Sequence, residues 1–528
     1  MQSCAHTVSF DGIRAMPVEV QCAVTAGMPN FGIVGLPDKA VSEARDRIRA
    51  ALSAMSVALP SKRITVNLAP ADLPKIGAHF DLPIALALLA AVEYLPADAI
   101  EDLIAMGELS LNGRLAAVPG TLPAAVTAAE QGRGLICSEP SAAEAAWVSA
   151  TPVYGAPTLD AAIRHLLGQR PLTPASPGTA APRPPGAGDY RDVKGQDRAK
   201  RAAEIAAAGR HHLMMVGPPG SGKSMIAQRL PSILPPLTAA EALETSMILS
   251  VAGQLSGGQI SRTRPYRAPH HTASKPALVG GGKGARPGEV SLAHNGVLFL
   301  DELPEFPRTV LETLRQPIES SNITVSRAAH HTEYPCRFLL VAAANPCRCG
   351  HMTDAARACA RVPLCGADYL GRISGPLLDR FDLRVEVPAV GILELEMPPP
   401  SEGSSDIAAR VQTARERQTA RFASDFPDSG CLTNSDAEGD VLQQIAPLDG
   451  EGQELMRRAA DRLRLSARAY HRVLRVARTI ADLAGSDDVR RPHLAEAISY
   501  RLSDLTAPRP TPPPASGAQR ARPQTRSS

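Results

Sequence analysis

GPPGSGKS, at residues 217–224, is the stretch that decides the fold. It follows the apolar run His212–Val216 and opens a helical segment, so the sequence predicts a strand, a glycine-rich loop and a helix in that order. The glycines let successive backbone N–H groups point inward, and the helix start adds positive potential, so the loop favours phosphate. Lys223 is expected to reach the β and γ phosphates of ATP, and the Ser224 hydroxyl to bind Mg²⁺. The residues assigned to nucleotide binding are Gly217, Pro218, Pro219, Gly220, Ser221, Gly222, Lys223 and Ser224.

Two later apolar runs end in polar residues that suit ATP hydrolysis. GVLFLDE at 296–302 ends in Asp301, expected to hold the Mg²⁺ shell, and Glu302, expected to polarise the attacking water. RFLLVAAAN at 337–345 ends in Asn345, which would orient that water; the alternative is a turn residue at a strand end. Continuous hydrophobicity predicts that both runs are strands buried on both faces of a parallel sheet. The predicted strands are Gly296–Leu300 and Phe338–Ala343.

Hydrolysis also requires positive charge beside the transferred phosphoryl group. Arg380, in GPLLDRFD, is the first candidate for this role, and Arg372 is the second. Arginine suits it because its charge is permanent and its planar fork can contact two oxygens. The alternative for either residue is a surface salt bridge.

Composition limits the class of protein. The 528 residues exceed the ~100–200 typical of one domain, so two or three domains are expected. Hydrophobic residues make up 44% and aromatic residues 3%, which predicts aliphatic cores, and a net charge of +3 is too small to indicate nucleic-acid binding by itself. The first twenty residues lack a secretory pattern, and the apolar run Leu82–Val92 is shorter than the ~20 residues of a spanning helix. We expect a cytoplasmic protein without a membrane segment, in which Leu82–Val92 is a buried helix.

Shifts in composition divide the chain. PLTPASPGTAAPRPPGAG at 171–188 offers almost nothing to bury and is predicted to be a linker. Strand-like and helical runs alternate before it, whereas 431–506 is helical throughout. The predicted parts are an α+β domain (1–170), the linker (171–188), an α/β core (189–388), a connector (389–430), a helical lid (431–506) and a disordered basic tail (507–528).

Six long, ungapped segments carry a resemblance to a known family: 27–52, 67–89, 264–282, 287–306, 372–383 and 465–485. Read together, they closely resemble the Mg-chelatase-like AAA+ family known as YifB or ComM, from about Val8 to Arg501. The resemblance implies an AAA+ P-loop α/β core with a C-terminal helical lid, and a homo-hexameric ring with ATP sites between subunits. It also implies, for members of the ComM type, a DNA helicase that drives branch migration in natural transformation, with recombination proteins as partners.

The same resemblance implies roles for arginines. It supports Arg380 as the residue that reaches a neighbouring subunit's nucleotide, because Arg380 occupies the family's LLDR position. It also implies a sensor arginine in the lid, for which Arg468 is the first choice and Arg475 and Arg478 are alternatives. Helical spacing does not distinguish the three.

The N-terminal domain resembles the proteolytic domain of Lon, a fold of the ribosomal S5 domain 2 type. PKIGAHFD at 74–81 covers the nucleophile motif and places His79 at the serine position, while 107–125 covers the lysine region and places Ala124 near the lysine. Without a nucleophile and a base, covalent peptide hydrolysis is not available. The domain is predicted to be a non-catalytic adaptor or a DNA-handling module.

Four cysteines cluster in a predicted insertion at 347–365: Cys347, Cys349, Cys359 and Cys365. Four thiolates satisfy tetrahedral Zn²⁺, and the family commonly has cysteines here, so a structural zinc site is predicted. His351 would be able to replace one thiol. The alternative is a loop with reduced cysteines.

Two segments are candidates for DNA contact in the pore of a ring. The first is the basic loop 264–286, in which Arg267, Lys275 and Lys283, with His270 and His271, would face phosphates and Tyr266 would stack on a base. The second is a hairpin around Asn322–Glu333 with Arg327 near its tip. The alternative for both is a solvated loop.

The prediction is therefore an ATP- and Mg²⁺-dependent motor that acts on single-stranded or branched DNA. The rival is a Mg-chelatase-type or chaperone-like motor that remodels a partner protein without nucleic acid. An ATP-dependent protease is disfavoured because the Ser–Lys pair is missing.

Overall fold

The computed structural model describes residues 2–179, 188–282, 285–327, 330–352, 360–398 and 400–501. The predicted tail, Lys283 and Cys359 lie outside these ranges, and so does the side chain of Arg327. Within them, no helix combines the length and the apolar character needed to cross a membrane.

The N-terminal domain is built on a seven-stranded sheet with the order β3-β4-β2-β1-β5-β8-β9. Its strands are β1 Gln2–Asp11, β2 Arg14–Thr25, β3 Asn30–Val34, β4 Arg63–Ala69, β5 Leu103–Met106, β6 Glu108–Leu109, β7 Leu115–Ala116, β8 Gly134–Ser138 and β9 Val153–Ala156. Its helices are α1 Lys39–Ala54, α2 Asp81–Ala91, α3 Asp98–Glu101, α4 Thr121–Glu130, α5 Glu139–Ala145 and α6 Leu159–Leu166. Every residue of α2 is buried, which confirms the predicted buried helix.

The core that follows is an α/β layer structure around a parallel sheet with the order β11-β14-β17-β10-β18. Its strands are β10 Leu213–Val216, β11 Tyr266–Arg267, β12 Gly280–Gly281, β13 Arg286–Pro287, β14 Val297–Leu300, β15 Asn322–Arg327, β16 His330–Pro335, β17 Leu339–Ala344 and β18 Leu383–Glu386. Its helices are α7 Asp197–Gly209, α8 Lys223–Ile233, α9 Ala239–Val251, α10 Lys275–Val279, α11 Glu289–Leu292, α12 Arg308–Thr313, α13 Arg315–Ser320, α14 Leu364–Leu370 and α15 Gly375–Leu378.

The central strands are buried on both faces, as their continuous hydrophobicity predicts. All residues of β10, β14 and β17 are buried. Each strand begins one residue later than predicted. For β10 the cause is visible, because the backbone N–H of His212 donates to the Asp382 carboxylate (2.9 Å) instead of joining the ladder.

The described residues that follow β18 contain helices and no further strand. The helices are α16 Ile392–Glu396, α17 Ser404–Asp425, α18 Gly439–Ile445, α19 Gly450–Leu463, α20 Ala467–Leu483 and α21 Arg491–Ser499. Helix α17, which lies inside the predicted connector, buries Ile407, Val411, Ala414 and Phe422 in the core that α7, α8 and α20 share. The lid is therefore packed on the α/β core through a long helix.

The N-terminal domain contacts the α/β core through α4 and α5. The Trp147 indole N–H donates to the Gly258 carbonyl (2.7 Å), and the backbone N–H of Gly120 donates to the Ser250 carbonyl (3.1 Å). The buried carboxylate of Glu144 accepts from the Ser250 hydroxyl and from the Leu122 N–H (3.2 Å).

This contact is expected to depend on pH through Glu144. Burial raises the pKa of its carboxyl above the ordinary 4.5, against the opposing hydrogen bonds from Ser250 and Leu122. A raised folded-state pKa contributes stability that is fully present below pH 4.5 and is lost as the pH rises through the raised value. Glu144→Gln keeps a hydrogen-bond acceptor but carries no charge. The unfolding midpoint of this variant, relative to that of the wild type, should therefore increase as the pH rises. The exposed Glu139→Gln on the same helix is the control, and parallel pH profiles for wild type and Glu144→Gln would contradict the assignment.

Candidate nucleotide site

The glycine-rich loop joins the end of β10 to the start of α8. A side chain at Gly217 would place its Cβ 2.0 Å from the Val387 carbonyl oxygen, so the strand can turn into the loop beside β18 only with glycine there. Gly222, directly before α8, has a φ of 91°, a left-handed conformation that glycine adopts without strain. The loop therefore wraps around the N-terminus of α8 as a phosphate site requires.

Lys223 is the buried cation of this loop. Its Nζ donates to the carbonyl oxygens of Gly217 (2.7 Å) and Pro218 (2.8 Å), and it lies 3.3 Å from Ser221 Oγ and 3.4 Å from Asn345 Oδ1. Burial lowers the pKa of Lys223, and the nearby carboxylates of Asp301 and Glu302 oppose that shift. The ammonium is thus held on the inner side of the loop, beside the end of β17.

Ser224 and Asp301 lie together as the sequence predicts. The Ser224 hydroxyl donates to Asp301 Oδ2 at 2.7 Å, so the first turn of α8 meets the end of β14. A hydroxyl and a carboxylate oxygen are hard ligands that suit Mg²⁺, so Ser224 and Asp301 would hold the ion. The residues present therefore fit a Mg²⁺–nucleotide.

Glu302 is held at the same edge of the sheet in an unusual backbone conformation. Its φ of 50° is left-handed, and its N–H donates to Asp301 Oδ1 (2.9 Å). Its side chain lies 3.4 Å from Nδ1 of His271, one of the residues predicted to contact DNA. The structure thus adds a histidine beside the candidate water-activating carboxylate.

Arg380 and Lys223 lie at opposite ends of the strands: Arg380 precedes the amino end of β18, and Lys223 follows the carboxyl end of β10. Leu383, the first residue of β18, pairs with Leu213, the first residue of β10, and the phosphate loop begins only after Val216. At about 3.3 Å per residue the two ends are about 10 Å apart before the loops are added. Arg380 therefore does not reach the phosphate loop of its own chain.

A network holds Arg380 in place. Its side chain is 5% exposed, pairs with Glu319 Oε1 (2.5 Å) and donates to the Pro376 carbonyl (2.6 Å), while its Nε has no partner among the described residues. Arg472 donates to the Arg380 carbonyl (3.0 Å) and to the Asp382 carboxylate (2.7 Å). Arg468, at the start of α20, lies 3.6 Å from the same oxygen of Glu319.

The other arginine candidates have different surroundings. Arg475 donates to the Ala437 carbonyl (2.7 Å), and Arg478 is buried with bonds to Asp482 (2.9 Å). Both are thus engaged inside the lid, whereas the Arg468 side chain is 75% exposed. Arg372 pairs with Glu305 (3.3 Å), in the segment that follows Glu302 of its own chain.

The two positions compared with Lon lie in the N-terminal core. His79 is buried, contacts the Val8 carbonyl through Nε2 (2.9 Å) and packs against Phe80. Burial lowers the pKa of His79 to about 4. Ala124 is buried within α4. Both residues pack as core.

The cysteine cluster is described only in part, because Cys359 lies outside the described residues. Cys347 and Cys349 approach to 3.1 Å between their sulfur atoms. In the part of the chain that the structure describes, no three residues from His, Cys, Asp and Glu converge on a common point. The described side chains therefore give no support to zinc.

The predicted DNA-contacting residues differ in how accessible their side chains are. Lys275 is exposed at the first position of α10. Arg267 is paired with Glu289, which holds its guanidinium through two bonds of 2.6 and 2.7 Å. Tyr266 is half-buried, and one face of its ring stacks on Phe299. Asn322–Arg327 and His330–Pro335 pair as the predicted hairpin.

Sequence reasoning missed the contacts that support the site. Glu319, His271 and Arg472 each contact a predicted residue that is distant along the chain. The Lys223 and Ser224 assignments needed only a local motif, whereas a lone glutamate in α13 carries no sequence signal that points to Arg380.

Comparison with known proteins agrees with this geometry. Sequence profiles of magnesium chelatase subunit ChlI match residues 18–141 and 189–395, and the profile of its C-terminal part matches 401–501. YifB of Salmonella typhimurium is 43% identical over 514 residues, covering 94% of this chain and 97% of the relative. YifB of Escherichia coli is 44% identical over 504 residues (95% and 97%), and the competence protein ComM of Haemophilus influenzae is 44% identical over 495 residues (93% and 95%). The chain therefore belongs to the magnesium-chelatase-like AAA+ family that includes YifB and ComM.

Proposed function

We propose that the protein is an ATP-hydrolysing motor that assembles as a hexameric ring and moves DNA, as a helicase or branch-migration factor in transformation or recombination. Lys223, Ser224 and Asp301 would hold Mg²⁺–ATP, Glu302 would activate water and Asn345 would orient it. The observation that carries the proposal is the separation of Arg380 from Lys223 across one sheet.

That separation supports assembly. A site that needs Arg380 has to take it from another copy. In such a contact, the surface of one chain that carries Lys223 faces the surface of its neighbour that carries Arg380. Such head-to-tail contacts generate rings when the rotation closes. Arg468 shares Glu319 with Arg380, so we assign its sensor role to the neighbour's nucleotide as well.

DNA as the substrate is supported by one relative and by one exposed charge. The relative that is 44% identical over 495 residues is named a competence protein. Lys275 is exposed on α10, whose buried residues Leu278 and Val279 pack in the same cluster as Leu300 of β14. Strand β14, which precedes Asp301, and helix α10 of the basic loop thus pack in one cluster. This packing would transmit nucleotide-driven motion to bound DNA.

The test is the ATPase rate of the assembled protein with and without single-stranded and forked DNA, together with strand exchange on a labelled fork. Native mass spectrometry establishes the oligomer first. Stimulation by DNA with strand displacement supports the proposal, whereas a hexamer that hydrolyses ATP without response to either DNA overturns the choice of substrate.

Lys275→Ala is expected to weaken DNA binding and to reduce its salt dependence. Each phosphate contact adds about 0.7 to the slope of log affinity against log salt for single strands, so the slope should fall by about that amount per chain. Lys39→Ala is the control, since Lys39 is 91% exposed and pairs with Glu43 in the N-terminal domain. Identical isotherms for wild type and Lys275→Ala would remove the basic loop from the DNA path.

The second candidate function is a chelatase-type motor that remodels a partner protein. It is favoured by the three matching profiles, all of which describe a magnesium chelatase subunit. In either case we propose that the N-terminal domain has a Lon-like fold without peptidase activity and serves as an adaptor. Structural zinc at the four cysteines stays a prediction.

A further inference from the structure

Four arginine side chains surround a small cavity where the lid meets the α/β core. Arg210, Arg264 and Arg337 come from segments that precede β10, β11 and β17, and Arg415 comes from α17. Two carboxylates, Glu241 and Asp436, lie among them. We call these six residues the arginine pocket. It lies at the edge of the sheet opposite the phosphate loop, so it is distinct from the nucleotide site.

The two carboxylates are already fully engaged. Asp436 pairs with Arg210 and with Arg337 (2.7 Å), and its Oδ2 also accepts backbone N–H groups from Leu432 (3.1 Å) and Thr433 (2.9 Å). Glu241 pairs with Arg264 (3.2 Å) and accepts from the Thr238 N–H (2.9 Å). Both acids are thus already paired with arginines of this pocket.

The positive charges exceed the negative ones. Arg415 donates twice to the Ala207 carbonyl (3.1 and 2.8 Å) and forms no ion pair with any described carboxylate. Arg210 Nη1 is buried with no hydrogen-bond partner in the described chain. Four guanidinium groups against two carboxylates leave two uncompensated positive charges in a confined space.

Burial at this density is unfavourable for the cations. It lowers the pKa of Arg210 to about 10 and that of Arg415 to about 9, with the neighbouring arginines adding to each shift. Both groups stay charged at neutral pH. Water in the cavity would not neutralise the excess charge, and an unpaired buried charge is strongly destabilising.

The cavity has a volume of about 40 Å³. A water needs about 10–15 Å³ by the same measure, so the space accommodates about three water-sized groups, the scale of a small oxyanion and far less than a nucleoside. The Arg337 side chain is 23% exposed, so solvent reaches one wall. Guanidinium forks match the oxygens of such an anion in geometry and charge.

We propose that the arginine pocket binds a small dianion of the phosphate type and that the bound anion fastens the helical lid to the α/β core. The pocket brings core arginines together with Asp436 of the lid and Arg415 of α17, so an anion at its centre would contact both sides of the joint. Free phosphate is a product of ATP hydrolysis, and a nucleotide monophosphate presents the same group at the end of a larger molecule.

The test uses the full chain with Mg²⁺ and a saturating non-hydrolysable ATP analogue, so that the phosphate loop is filled. The unfolding midpoint is followed while sodium phosphate replaces sodium chloride at constant ionic strength, with AMP in a parallel arm. The wild-type midpoint should rise by about 3 °C at phosphate about a hundred times its dissociation constant. A response to phosphate alone identifies the free ion, and an equal response to AMP identifies a phosphate monoester.

Arg415→Gln should abolish the phosphate response. Arg417→Gln on the same helix is the matched control, because Arg417 pairs at the surface with Asp487, which is 96% exposed. Arg337→Gln, at the more exposed wall, provides a second variant if Arg415→Gln does not fold. A wild type that responds to phosphate no more than to chloride overturns the proposal, as does a full response in a folded Arg415→Gln or Arg337→Gln protein.

Discussion

Arg380→Ala is expected to bind Mg²⁺–ATP with nearly wild-type affinity and to hydrolyse it about 10³-fold more slowly, because an arginine on the transferring phosphoryl group contributes at least that much. Binding should persist because Lys223, Ser224 and Asp301 lie at the opposite edge of the sheet. A fluorescent nucleotide gives the affinity, and phosphate release gives kcat. Arg372→Ala is the matched control, since Arg372 is the other candidate and contacts Glu305, in the segment that follows Glu302 of its own chain.

Mixing variants would show that Arg380 acts on a neighbouring chain. Arg380→Ala chains retain Glu302, and Glu302→Gln chains retain Arg380. In random rings made from equal amounts, about one interface in four would combine an intact Glu302 with an intact Arg380. Activity should therefore reappear on mixing. Folding of Arg380→Ala is checked by its unfolding midpoint, because the lost side chain is buried. A mixture as inactive as its components would place Arg380 outside the neighbour's site.

Glu302→Gln is expected to lower kcat by about 10²- to 10⁴-fold while ATP remains bound, because the amide keeps the shape of the side chain but does not accept a proton. The left-handed backbone at Glu302 and the bond from its N–H to Asp301 are unaffected by the change. The protein should accumulate in an ATP-bound form, measured as slow phosphate release with normal nucleotide affinity.

Glu305→Gln, three residues away, serves as the control for Glu302→Gln and should leave kcat within about two-fold, because surface substitutions away from a reacting group have small effects. His271→Ala extends the series. If His271 orients Glu302 across the 3.4 Å contact, its loss should change kcat and leave nucleotide affinity as it is. Normal hydrolysis by Glu302→Gln would mean that another group activates the water.

The parts of the site that sequence predicted are those with a local signature. The turn from β10 into α8 is specified by one octapeptide, and Asp301 follows a strand whose hydrophobicity marks it as buried. Because the strands are parallel, the polar residues after them meet at one edge of the sheet. That geometry brings Ser224 to Asp301 and Lys223 to Asn345 without any knowledge of tertiary contacts.

The parts that sequence did not predict depend on residues far apart along the chain. Glu319 meets Arg380 and Arg468 only after the lid has packed on the α/β core. Arg210 and Asp436 are 226 positions apart, and no spacing rule connects them. Arg267 illustrates the reverse case, because its loop contains no acid and the fold nevertheless places Glu289 against it. Charge in a sequence does not reveal which side chains are already paired.

The opposite placement of Lys223 and Arg380 has a kinetic consequence. Under the proposed mechanism, a chain alone in solution would hold nucleotide but lack the arginine that completes the site, so it would turn over about 10³-fold more slowly. Specific activity per chain should therefore fall steeply on dilution, whereas a catalyst complete within one chain would keep it constant. In the proposed ring, the final subunit would complete two sites, one with each neighbour, whereas each earlier subunit completes one.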